Sequence, residues 1–127
     1  MVFFKQMSHH LVDLDHSFLD RCRNILLTRD PRDMLASPAI HLPDATLADT
    51  GLADQVRLLD RLIEGGEMPI VVDSRHLLDD PAGVLTAVCG ALDPDLEPAM
   101  LSWPRGPRPE DGVWGDHWGA GGASPST

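Results

Sequence analysis

Two short apolar runs decide most of what this chain can become. "NILLT" at 24–28 and "PIVVDS" at 69–74 are too short for helices of their own and are bounded by charge or proline, so both read as strands. Between them lies "TGLADQVRLLDRLIEGGEMP" at 50–69, in which Leu52, Val56, Leu59 and Ile63 recur at helical spacing. Thr50 is a plausible cap for that helix, and Gly65-Gly66 supplies its stop. Strand, helix, strand is the pattern of a parallel sheet, and the predicted fold class is α/β.

The flanking segments extend this pattern. Asp80-Pro81 has the cap-then-proline form of a helix start, and Val84, Leu85, Val88, Cys89 and Leu92 give the helix after it a buried face. "SHHLVDLDHSFLDRC" at 8–22 carries Leu11, Leu14, Phe18 and Leu19 and predicts a short amphipathic helix, and "LEPAMLSW" at 96–103 predicts another. "MVFFKQM" reads as a third strand. Three strands are few for a parallel sheet, whose faces and edges must both be covered. The expectation is therefore an incomplete fold, with further chain upstream of an apolar start at residue 2. The domain is expected to occupy 1–118, with "GAGGASPST" at 119–127 a disordered low-complexity tail.

Bulk properties narrow the function. The 127 residues suit one domain, and 43% apolar content with 24% charge is ordinary for a soluble protein. A net charge of −10 opposes non-specific binding to nucleic acid or an anionic membrane. No apolar run approaches the roughly 18 residues of a spanning helix. Cys22 and Cys89 have no CxxC partner and "MVFFKQMSHHLV" is no signal peptide, which predicts a cytoplasmic chain with reduced thiols.

Chemistry concentrates in "NILLTRDPRDMLAS" at 24–37. A strand that ends on Arg29 and turns at once into a helix capped by Asp30, begun by Pro31 and carrying Asp33 in its first turn is the form of an anion site. Arg29 offers a forked, charge-assisted contact to phosphate, and Ser37 a hydroxyl eight residues later. The competing reading has Arg29 paired with Asp30 or Asp33 and merely closing the strand. Pro38 is expected to end the helix early.

These residues also carry a resemblance. Arg29-x-Pro-Arg-Asp with Ser37 resembles the 3′-phosphate-binding element of the P-loop-like sulfotransferases, which use 3′-phosphoadenosine 5′-phosphosulfate. "KQMSHHL", "PIVVDSRHLLDDPAGVLTAVCGAL" and "MLSWPRGPRPEDGVWGDHW" are similar to that family in order and character, the last resembling a bacterial and fungal branch. The resemblance implies an incomplete three-layer α/β domain with a small parallel sheet flanked by helices. It implies Arg29 and Ser37 on the 3′-phosphate, with Arg105 or Arg108 of the closing loop reaching the same ligand. His9 or His10 would be the base and Lys5 a charge stabiliser. The acceptor would be a small-molecule hydroxyl or amine, and no metal is implied.

The departures are specific. The family's Pro-Lys-x-Gly turn for the 5′-phosphosulfate has no counterpart; the first glycine is Gly51, and there is no G-x-x-x-x-G-K-[ST]. The family's base lies two residues after its strand-end lysine, and here that position is Met7. Weak or no activity is therefore expected of this chain alone. Two other readings remain: a non-catalytic remnant binding a nucleotide or a partner, including a second copy through an exposed sheet edge, and a kinase-like enzyme. The spacing of His9, Asp13 and His16 also fits one helical face for a metal, although a solvated helix flank is the commoner origin of such spacing. Trp103, Trp114 and Trp118 are read as packing residues before acceptor contacts.

Overall fold

The computed structural model describes residues 2–11, 13–35 and 46–102, with His9 and Leu47 described as backbone alone. Its elements are β1 (Ile25–Thr28), α1 (Pro31–Leu35), α2 (Leu52–Glu64), β2 (Ile70–Asp73), α3 (Ser74–Asp79) and α4 (Pro81–Leu92). Short 3₁₀ turns at Ser8–His10, His16–Arg21, Leu47–Thr50 and Pro98–Met100 complete the order. The chain divides into two compact units, 1–84 and 85–127.

In the first unit β1 and β2 pair in parallel, Ile25 beside Ile70 through to Thr28 beside Asp73. This is the α/β arrangement expected from the two apolar runs. The register is fastened at its amino end. The Asn24 carbonyl accepts from Ile70 N (3.0 Å), and Glu67 accepts from Asn24 N (3.2 Å) and Asn24 Nδ2 (2.8 Å). Asn24 Nδ2 also donates to the Leu19 carbonyl, tying the preceding turn to the sheet. Paired residues of a parallel ladder share a face, so Leu26 and Val71 point one way and Leu27 and Val72 the other. Leu26 and Val72 are buried, whereas Leu27 is 55% and Val71 54% exposed. Each strand is thus covered on one face only.

α2 packs on β1 and ends as its glycines predict. Gly66 N donates to the Ile63 carbonyl and Glu67 N to the Leu62 carbonyl, with Gly66 at φ 86°. That is a Schellman stop, which requires a left-handed residue that glycine supplies without strain. Its start differs slightly from expectation: Gly51 occupies the cap position at φ 67°, and Thr50 Oγ1 accepts from Leu52 N at 3.4 Å.

Three expectations are corrected. The 2–7 segment forms no strand among the described residues: it pairs with neither β1 nor β2, and its apolar side chains stay out of the core, with Phe3 74% and Phe4 76% exposed. The 8–22 helix is instead two 3₁₀ turns interrupted at Asp13, whose φ of 56° no helix accepts. Short acidic side chains drive the break: Asp15 accepts from Ser17 N (2.9 Å) and Ser17 Oγ (2.7 Å), which starts a new turn at His16. The α2 stripe is also rotated. Leu62 is the buried residue, at 2% exposure, while Val56 is 56% and Ile63 45% exposed. Pro38 and the tail lie outside the described residues.

The Ser17 hydroxyl, together with its backbone N–H, holds the Asp15 carboxyl below its ordinary 3.8. The depressed value means that this cap contributes stability at neutral pH and loses it as pH falls through that lowered value. Ser17→Ala should move the Asp15 titration back toward 3.8, measured by carboxyl NMR chemical shift against pH.

α4 begins as expected, with Asp80 Oδ1 accepting from Gly83 N at 2.9 Å. Cys89 is buried and Val84, Leu85, Val88 and Leu92 are half-buried. Among the described residues no helix is long and apolar enough to cross a membrane.

Candidate anion-binding cleft at the carboxyl end of the sheet

Because β1 and β2 run in parallel and in register, Thr28 and Asp73 end level, and both chains turn away together into short helices. Each turn is held by an aspartate. Asp30 Oδ1 accepts from Arg32 N (2.8 Å), and Asp73 Oδ1 accepts from Arg75 N (2.7 Å). The two turns enclose an open cleft of about 500 Å³, lined by Thr28–Asp33 on one side and Asp73–His76 on the other.

The cleft's ion pairs decide which cation is left for a ligand. Arg32 Nε lies 3.5 Å from Asp30 Oδ1, and Arg75 Nη2 lies 3.4 Å from Asp33 Oδ2. These are the two carboxylates that the competing reading of the sequence offered to Arg29. With both committed elsewhere, Arg29 is exposed on the cleft and has no carboxylate at ion-pairing distance among the described residues. Asp30 and Pro31 serve as the sequence predicts, while Asp33 crosses to the neighbouring turn instead of reaching back to its own helix.

The other expected site residues divide. Lys5 and His10 are exposed and do not line the cleft. The turn at Ser8–His10, which contains His10, is tied to the cleft end of the sheet. Ser8 Oγ donates to the Gly51 carbonyl (2.9 Å) at the start of α2, and Gln55 Nε2 donates to the Leu27 carbonyl (2.8 Å), one residue before Thr28. The backbone of His9 belongs to the same turn. Ser37, Arg105, Arg108 and the three tryptophans lie outside the described residues.

The helical spacing behind a metal face does not survive the break at Asp13. His16 Nε2 instead donates to the Leu11 carbonyl at 2.8 Å, and among the described residues no three potential ligands converge.

Sequence reasoning missed Ser74, Arg75 and His76. Their signal was present in "VVDSRH": a strand closing on an Asp that caps the next helix, the same device as "LLTRDPR".

A family model described as a sulfotransferase domain matches residues 1–126. Two curated proteins of Arabidopsis thaliana are similar. Branched-chain-amino-acid aminotransferase-like protein 1 is 33% identical over 109 residues, which is 85% of this chain and 19% of that protein. Branched-chain-amino-acid aminotransferase-like protein 2 is 30% identical over 118 residues, 91% of this chain and 21% of that protein. The chain thus spans about a fifth of the length of the curated relatives it matches. No solved structure matches.

Proposed function

The chain belongs to the sulfotransferase domain family, and from that premise we propose that its cleft receives the 3′-phosphate of 3′-phosphoadenosine 5′-phosphosulfate, with Arg29 as the principal contact. One observation carries the reading: Arg29 faces the cleft while Asp30 and Asp33 are paired with other arginines. An exposed guanidinium just past the carboxyl end of β1, beside open space, suits a phosphomonoester dianion. Ser37 would add a hydroxyl, and Arg105 or Arg108 a further guanidinium over the ligand.

The reaction of such a domain is a direct displacement. The acceptor's oxygen or nitrogen bonds to sulfur as the bond from sulfur to the 5′-phosphate oxygen breaks. The acceptor proton passes to a base, for which His9 and His10 are the candidates, and Lys5 offsets the charge left on the departing phosphate. The products are the sulfated acceptor and adenosine 3′,5′-bisphosphate.

Within these 127 residues no Pro-Lys-x-Gly turn is present to hold the 5′-phosphosulfate. Positioning of a donor supplies about 7–11 kcal/mol of a barrier, so a base without a held donor accelerates little. The expectation is binding without useful turnover. Calorimetric titration of the 127-residue protein with adenosine 3′,5′-bisphosphate should give saturable binding, and a donor-consumption assay should give a rate near background. Absence of any binding by the folded chain refutes the site, and turnover at a normal enzymatic rate refutes the assigned inactivity.

A second reading, a partner-binding module, rests on the half-covered sheet and on Phe3 and Phe4, which are about three-quarters exposed. It predicts capture of a protein partner with no dependence on Arg29. The word aminotransferase in the relatives' names belongs to proteins about five times longer than the stretch they share with this chain.

A further inference from the structure

We infer that Arg75 is a second guanidinium for the bound anion, held aside by Asp33 until the ligand arrives. The inference rests on the anion reading of the cleft and adds to it a residue from the other strand end.

The backbone geometry brings Arg75 to Arg29's cleft. Thr28 and Asp73 are register partners, and neighbouring strands of a sheet lie about 4.8 Å apart. Arg29 comes directly after Thr28; Arg75 comes two residues after Asp73, and its own N–H is tied to that aspartate at 2.7 Å. The start of the Arg75 side chain is therefore fixed beside the cleft, although its guanidinium is not. That group meets Asp33 through a single contact of 3.4 Å, and the two side chains are 67% and 48% exposed. A long, solvated pair of this kind is easily exchanged. A phosphomonoester brings two negative charges and several acceptor oxygens, and a guanidinium's planar fork matches two of them at once. Arg75 therefore gains by leaving Asp33 for the ligand.

The arrangement also accounts for Asp33. In the free protein it keeps the cleft's charge balanced, three arginines against three aspartates. When the anion enters, Asp33 is released to solvent and the phosphate takes its place. Asp33 thus acts as a competitor that sets affinity without touching the ligand.

Titration of the full chain with adenosine 3′,5′-bisphosphate tests this, using Asp33→Asn, Arg75→Gln and the double variant, each checked by circular dichroism for an intact fold. Arg75→Gln should weaken binding about tenfold, the order expected for one charge-assisted contact. Asp33→Asn should tighten it by up to about fivefold, the worth of an exposed pair. In the Arg75→Gln background the Asp33→Asn gain should disappear. Wild-type affinity in Arg75→Gln, or an Asp33→Asn gain that persists undiminished in the double variant, overturns the inference while leaving the Arg29 site standing. Failure of the wild-type chain to bind at all overturns both.

Discussion

Arg29→Ala weakens adenosine 3′,5′-bisphosphate binding by about ten- to a hundredfold or more, with the fold unchanged. A hydrogen bond to a charged group is worth about 1.5–3 kcal/mol, and each 1.4 kcal/mol is a factor of about ten in affinity. The effect should sit near the upper end of that range, because no carboxylate among the described residues competes for Arg29 in the free protein. Little is therefore lost elsewhere when the guanidinium engages its ligand. The fold should be indifferent, since Arg29 is exposed and makes no ion pair in the described part of the chain. Arg29→Lys should recover part of the loss, keeping the charge and losing the fork. Calorimetry on the three proteins at fixed salt checks the series. An Arg29→Ala chain that binds like wild type removes the basis for the proposed site.

The second large effect concerns stability. Leu62→Ala should destabilise the first unit by about 2–5 kcal/mol, the range for deleting a buried leucine side chain and leaving its space behind. Leu62 is 2% exposed and is one of few buried apolar residues in that unit, with Leu19, Leu26 and Val72. Domains of this size keep only about 5–15 kcal/mol in total, so the variant should lose a large share and unfold at a much lower urea concentration. Ile63→Ala is the control. Ile63 is 45% exposed and should cost distinctly less. Equal midpoints for the two variants contradict the placement of the core.

That control also marks where the sequence could and could not be read. β1, β2, α2 and α4 were legible because each is announced by local chemistry: bounded apolar runs, a helical period, an Asp-Pro start and a Gly-Gly stop. The face of α2 was not legible. In a leucine-rich helix the stripe through Val56 and Ile63 and the one through Leu62 are both apolar, and which of them turns inward depends on the elements packed against α2, among them β1 and the turns at Ser8–His10 and Leu47–Thr50. The segment at 8–22 misled because its apolar spacing is helical, yet Asp13 and Asp15 bind or bend the backbone in ways that periodicity does not register. The strand expected at 2–7 failed for a non-local reason, since β-pairing depends on a neighbour and not on composition.

The cleft shows the same division. Arg29, Asp30 and Pro31 are consecutive, and their roles derive from neighbours in sequence. The freedom of Arg29 was not readable, because it depends on Arg75 drawing Asp33 across from a turn 42 residues away. Two candidate carboxylates beside an arginine looked like its partners. Chain pairing gave one of them to a different arginine.

The clamp between Glu67 and Asn24 has a consequence at the far end of the sheet. Sliding β2 by one position would displace its tip by about 3.3 Å and send every side chain to the opposite face. Arg29 and Arg75 would then no longer border a common opening. The spacing of the backbone at Arg29 and Arg75 is therefore set where the strands begin, a full strand's length from the cleft, by a glutamate and an asparagine that do not line it.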